Sequence, residues 1–228
     1  MTIKEQQSLS CIEINPTNLP PKKSIIWLHG LGADGSDFVP IVSELGLPAS
    51  LGIRFVFPNA PIMPVTINQG YEMRAWFDIY GLSIAAKIDT AGIALSISQL
   101  ELLIQHEESQ GIETTNIILA GFSQGAVVAL MTGLCYPKPL GGIMALSGYL
   151  PLADETLKKA SAANRDIPIF IAHGTEDTIV PYTLGKATYA ALMQAGYPAS
   201  WHSYPMPHSV CADEVNDISQ WIQSIKNK

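Results

Sequence analysis

The stretch Asn116-Ile-Ile-Leu-Ala-Gly-Phe-Ser-Gln-Gly-Ala-Val-Val-Ala-Leu130 decides how the rest of the chain is arranged. Ile117 to Gly121 is short, apolar and bounded by turn residues, the pattern of a strand buried on both faces of a parallel sheet. Gly125 to Leu130 reads as a buried helix, and no loop fits between the two. The junction Gly121-Phe-Ser123-Gln-Gly125 is a G-x-S-x-G sequence. Small residues on both sides let the backbone turn sharply from strand to helix, which leaves Ser123 at the head of the sheet. The helix that follows aims its free N–H groups and partial positive charge at that serine. An ordinary N-cap serine in a tight packing turn is the competing explanation. It predicts no matching acid and histidine farther along the chain.

Working outward, strands alternate with helices. Ser10–Ile14 reads as a short edge strand, and Ser24–Leu28 as a continuous apolar one running into the Gly-rich loop His29-Gly-Leu-Gly-Ala-Asp-Gly35. Phe38–Leu45 reads as a helix and Ile53–Phe57 as the next strand. The loop formally matches G-x-G-x-x-G. A dinucleotide site, however, needs an acidic residue at the end of the second strand, and Pro58-Asn-Ala-Pro61 stands there instead. The stretch from Pro58 to Tyr80 reads as a long irregular loop, and loops of this length in a compact domain are usually functional. Its Met63, Met73, Trp76 and Phe77 suit either the wall of an apolar groove or a plug in the core. Asp89 is placed to cap a helix carrying Ile93, Ile97, Leu100 and Ile104, which Gly111 stops. Strands follow at Gly142–Ser147, Ile167–Ala172 and Ser200–Tyr204, with a surface helix around Asp154–Arg165 and another from Pro181 to Gly196. The last helix shows Val215, Ile218, Ile222 and Ile225 on one face. This order predicts a mostly parallel central sheet with helices on both faces, in a single domain spanning 1–228.

In such sheets the site lies beyond the carboxyl ends of the strands. Ser123, Asp177 and His208 each follow a strand, in the order Ser…Asp…His that the hydrolase version of this architecture uses. A serine hydroxyl is a weak nucleophile at neutral pH and needs a base, here His208, held in the right tautomer by a carboxylate. Glu176 rivals Asp177 for that last role on position alone. Asp154 and Asp166 precede the last-but-one strand and lie on the wrong side of the sheet. Of the other histidines, His106 falls on a polar helix face and His202 inside a strand. His29 and His173 each precede a glycine at a strand end, where they order loops. A tetrahedral intermediate needs two donors, and the backbone N–H groups of Gln124 and Leu31 are the candidates.

Bulk properties narrow the function. The 228 residues are 47% hydrophobic and 14% charged, with 13 basic and 20 acidic residues for a net charge of −7. An acidic chain with no basic cluster is a poor partner for nucleic acid or an anionic membrane surface. Three cysteines at wide spacing make neither a disulfide framework nor a zinc pattern, and point to a reducing, cytoplasmic setting. The N-terminus shows no secretory signal or myristoylation pattern and the C-terminus no lipidation signal, so no stable membrane anchor is expected.

Further motifs tighten the reading: Pro58-Asn-Ala-Pro61, Pro64-Val-Thr-Ile-Asn68, Ala75-Trp-Phe-Asp78, Ala145-Leu-Ser147 with Leu150-Pro-Leu152, His173-Gly-Thr-Glu-Asp177 with Val180-Pro181, and Tyr204-Pro-Met206 with His208-Ser209. With the two glycine-rich turns they make the chain resemble the phospholipase/carboxylesterase group of α/β-hydrolases, which includes the acyl-protein thioesterases, from about Ile25 to Trp221. The resemblance implies an α/β-hydrolase fold without a large cap domain and needing neither cofactor nor metal. It implies Ser123, Asp177 and His208 as catalytic residues, Asp177 being preferred over Glu176. It puts Leu31 and Gln124 at the oxyanion site, and Leu31, Trp76 and Ile179 along an acyl groove. The implied substrate is a small acyl ester or thioester, and a lipid or an acylated protein falls within the same class; a homodimer is compatible with it. Pro207 departs from the small flexible residue expected before the histidine, and Met63 replaces a commonly basic residue. Both departures bear on substrate preference, not on the three catalytic positions.

Overall fold

In the computed structural model, residues 9–17, 19–81 and 87–225 are described; the segments 1–8 and 226–228, read above for leader and lipidation patterns, lie outside them. Strand β1 (Cys11–Ile14) runs antiparallel to β3 (Ile53–Pro58) at one edge. From there the sheet continues in parallel through β2 (Lys23–Leu28), β6 (Ile117–Phe122), β7 (Gly142–Leu146), β8 (Ile169–Gly174) and β9 (Ala199–Tyr204). β2 passes to β3 on one side, and the chain then crosses back to lay β6 on the other. The strand order therefore reverses between β2 and β6, and a crevice opens there beyond their carboxyl ends.

Both faces are covered, which is why the inner strands are apolar without alternation. Ile26, Leu28, Ile117, Leu119, Ile143 and Ile169 pack under α2 (Thr90–Ser109), α3 (Gln124–Cys135) and α5 (Tyr182–Gln194). The alternate residues Ile25, Trp27, Ile118, Ala120, Met144 and Phe170 pack with Ile41 of α1 (Ile41–Glu44) and with Val215, Ile218 and Ile222 of α6 (Ala212–Ser224). α2 begins at the expected cap, where Asp89 Oδ1 accepts the Gly92 N–H at 3.0 Å. α4 (Ala153–Lys159) lies on the polar stretch.

Two expected elements differ. The helix expected over Phe38–Leu45 shrinks to Ile41–Glu44, preceded by turns with hydrogen bonds three residues back, such as Ile41 N–H to Phe38 O at 3.1 Å. Pro40 has no N–H to donate, so the regular ladder cannot run through it. The stretch from Pro58 to Tyr80 is not wholly irregular. It carries an antiparallel hairpin, β4 (Ile62–Val65) and β5 (Tyr71–Arg74), closed through Gln69 and Gly70 with φ of 58° and 78°. Pro64 inside β4 hides the strand from a propensity reading.

Candidate active site

The turn after β6 is held from several sides. Ser123 has φ 54° and ψ −117°, a conformation that costs about 1–3 kcal/mol and persists only where the surroundings enforce it. Its N–H donates to Leu146 O of β7 at 2.8 Å, and its carbonyl accepts the Ala126 N–H at 3.1 Å. A Cβ at Gly121 would stand 2.3 Å from the Gly125 backbone, and one at Gly125 would stand 2.4 Å from Leu28 O. Both positions are backbone against backbone, so the two flanking glycines are required for α3 to start directly above β2.

Asp177 and His208 come together from the loops after β8 and β9. His208 Nδ1 lies 2.6 Å from Asp177 Oδ2, while Asp177 Oδ1 accepts the N–H groups of Ile179 and Val180 at 2.9 Å each. The carboxylate side chain is fully buried, and the imidazole is 15% exposed. An ionised carboxylate can only accept, so the proton on His208 sits on Nδ1 and Nε2 is left as an acceptor. The imidazole packs on Phe122, ring centroids 4.7 Å apart, beside the serine turn. The two loops are also joined by backbone: Glu176 N–H donates to Met206 O at 3.1 Å. The Glu176 side chain is exposed, and Asp177 is the acid that reaches the histidine.

His29 fastens the loop after β2. Its Nε2 accepts the Ala60 N–H at 3.0 Å and its Nδ1 contacts Gly30 O at 2.7 Å, which fixes a neutral tautomer; burial pushes its pKa down. This loop brings Leu31 to the same cavity as Ser123 and Gln124. Among the described residues, the backbone N–H groups of Leu31 and Gln124 donate to no other group.

The cavity, about 430 Å³, is bounded at one point by Ser123 and walled by Ile67, Phe77, Ile79, Val127, Tyr149 and Ile179. Leu31 and Ile179 are among the residues that line it. Trp76 does not: it is buried behind the wall with its indole N–H on His29 O at 2.9 Å, and its neighbour Phe77 takes the lining position. The cause is Gln124, whose side chain was not singled out in the sequence. Its Oε1 accepts the Trp76 N–H at 2.8 Å and its Nε2 donates to Phe77 O at 2.6 Å, clamping this segment to the start of α3. Asp89 adds a second clamp that a capping pattern does not show: its Oδ2 accepts the Asp78 N–H at 2.9 Å. Among the described residues, no group of three or more His, Cys, Asp or Glu side chains is arranged to hold a metal ion.

An elbow serine, a histidine–carboxylate pair and an apolar cavity on this sheet define an α/β-hydrolase. The chain matches the Phospholipase/Carboxylesterase family over residues 9–226 and belongs to it. It is 36% identical over 213 residues to acyl-protein thioesterase 1 of Yarrowia lipolytica, covering 91% of this chain and 94% of that protein. The crystal structure of SOBER1 from Arabidopsis thaliana matches with a TM-score of 0.83 at 32% identity, covering 88% of this chain and 97% of that one. The crystal structure of Zea mays acyl-protein thioesterase 2 matches with a TM-score of 0.84 at 29% identity, covering 94% and 98%.

Proposed function

We propose that this protein hydrolyses carboxylic esters and thioesters with short- to medium-length acyl chains, through an acyl intermediate on Ser123. His208 Nε2 takes the Ser123 proton as Oγ attacks the acyl carbonyl, and Asp177 stabilises the imidazolium. The N–H groups of Leu31 and Gln124 receive the oxyanion, each such donor lowering the barrier by about 3 kcal/mol. His208 then protonates the leaving alcohol or thiol, and water attacks the acyl-Ser123 by the same route in reverse. The observation that carries this reading is the 2.6 Å contact between His208 Nδ1 and Asp177 Oδ2 on a strand-end loop packed against the serine turn. The acyl chain occupies the apolar cavity beyond Ser123, with Leu31 and Ile179 on its wall.

A longer-chain substrate, a lysophospholipid or an acylated protein, is the second reading; relatives named as acyl-protein thioesterases favour it. The unpaired Cys11, Cys135 and Cys211 support a reducing cytoplasmic setting. Among the described residues, no helix is long and apolar enough to cross a membrane.

The test combines a label and a substrate series. A fluorophosphonate probe labels Ser123 in the folded protein, and Ser123→Ala abolishes both labelling and turnover of p-nitrophenyl esters. Retained turnover in the variant refutes the mechanism. A rate optimum at long acyl chains across matched esters and thioesters favours the second reading over the first.

A further inference from the structure

His173, the penultimate residue of strand β8 before the Asp177 loop, is fully buried and is not used in the steps above. Its Nε2 hydrogen-bonds Val180 O at 2.8 Å and stands 3.3 Å from Asp177 Oδ2. The same Oδ2 is the atom that meets His208. Among the described residues, its Nδ1 has no hydrogen-bond partner. A carbonyl only accepts, so the ring proton lies on Nε2. Burial pushes the pKa of this ring down, which favours the neutral form protonated on Nε2.

The ring is packed into this orientation. Trp201 of β9 lies nearly parallel to it at 6.3 Å and Tyr182 of α5 meets it edge-on at 6.1 Å. A Cβ on Gly185 of α5 would stand 2.4 Å from its Nδ1, so a glycine there leaves space for the imidazole. The titratable and charged groups around it are Asp177 on its own loop, His208 from the loop after β9, and Tyr182 and Lys186 from α5. Lys186 Nζ sits 4.8 Å from the Trp201 ring.

We propose that His173 is a positioning residue for the Asp177–His208 pair: its Nε2–H, bonded to Val180 O, holds the 177–180 turn closed, and the same nitrogen lies 3.3 Å from the carboxylate oxygen that His208 uses. The proposal rests on the catalytic roles argued under Proposed function. An N–H dipole beside Oδ2 draws off part of the negative charge that would otherwise act on His208 alone. Without it, Asp177 pulls harder on the His208 proton, so the imidazolium persists to higher pH. The turn also loses the bond to Val180 O, next to Ile179 on the cavity wall.

The test uses the full chain with p-nitrophenyl ester turnover from pH 5 to 9, normalised to the fraction of protein that a fluorophosphonate labels. His173→Phe keeps a flat ring and removes the N–H. In this variant the acid limb of kcat/KM moves up by roughly half a pH unit, and plateau kcat falls about tenfold with a smaller change in KM. His173→Gln, which returns an N–H at similar reach, recovers most of both. In the unmodified protein, 15N NMR of the imidazoles finds His173 as the neutral Nε2–H form throughout this range. An unmoved acid limb in labelled His173→Phe, or a protonated or Nδ1–H His173 in the spectrum, overturns the proposal. Absence of labelling in the unmodified protein would instead count against Ser123 as nucleophile, so the two failures are separable.

Discussion

At the scale of single residues, the side chain of Gln124 shows how the site is held. The residue is wanted for its backbone N–H, yet its amide also closes two buried backbone groups 47 and 48 residues away in sequence. Gln124→Ala keeps the N–H but leaves the Trp76 N–H and the Phe77 carbonyl without partners in a buried place. Each such group costs about 1–3 kcal/mol, so thermal unfolding of the variant shifts down by several degrees and kcat/KM falls as Phe77 leaves the cavity wall. Gln124→Glu retains the acceptor for Trp76 but places a carboxylate against the Phe77 carbonyl, and it destabilises at least as much. If both variants unfold at the temperature of the parent, the clamp carries no energy. The choice between Glu176 and Asp177 belongs to this scale too. Chain position alone leaves it open, because both lie in one loop. The turn favours Asp177, since a short aspartate can accept the N–H groups two and three residues on while its other oxygen reaches His208.

At the scale of elements, the site depends on how closely α3 approaches β2, and Gly125 is where that approach is tightest. Ala at this position puts a methyl 2.4 Å from Leu28 O and 2.7 Å from His29 O, backbone atoms with nowhere to go. The start of α3 must lift away from β2, which separates the Gln124 N–H from the Leu31 N–H. A misplacement of about 1 Å between groups that act together can cost on the order of 100-fold in rate. Gly125→Ala is therefore expected to lose at least that in kcat/KM while still showing a folded circular-dichroism spectrum. A folded variant with full activity would mean the two N–H groups do not work as a pair. The strands, α2, α3 and α5 were legible because local period and punctuation dictate them. The β4–β5 hairpin was not, because Pro64 breaks the strand pattern and pairing with Tyr71–Arg74 supplies what propensity lacks. The short α1 shows the converse, where an apolar spacing suggests a helix that Pro40 cannot complete. Trp76 was legible as important, but its place behind the wall rests on partners in the loop after β2 and in α3 that no local window contains.

At the scale of the whole molecule, folding stability carries a pH dependence set outside the site. Glu214 in α6 is completely buried, and among the described residues neither of its carboxyl oxygens has a hydrogen-bond partner in good geometry, the Cys211 backbone being the nearest candidate. Burial is the main cause that raises its pKa from 4.5 to about 8; proximity to the Cys211 backbone pulls it down and Asp217 pushes it up. The unfolded chain releases this proton near pH 4.5, whereas the native protein keeps it until about pH 8. Between those values the native state binds the extra proton, so this group makes stability fall as pH rises, and the loss levels off above pH 8. The accumulated effect is of the order of a few kcal/mol. Carboxylates whose pKa is lowered, such as Asp34 and Asp78, impose the opposite slope at lower pH, so the parent curve alone does not isolate Glu214. Comparison with Glu214→Gln does, because every other group titrates alike in both proteins. The buried amide adds a constant offset of its own. The diagnostic is the change in the difference: the unfolding temperature of the variant rises relative to the parent as pH goes from about 5 to about 8.5, then holds steady. Two parallel curves across that range would mean that Glu214 is ionised in the native protein, with α6 opening enough to hydrate it. In that case the packing of α6 on β8 and β9, beside the loop that carries His208, would be looser than its buried apolar face implies.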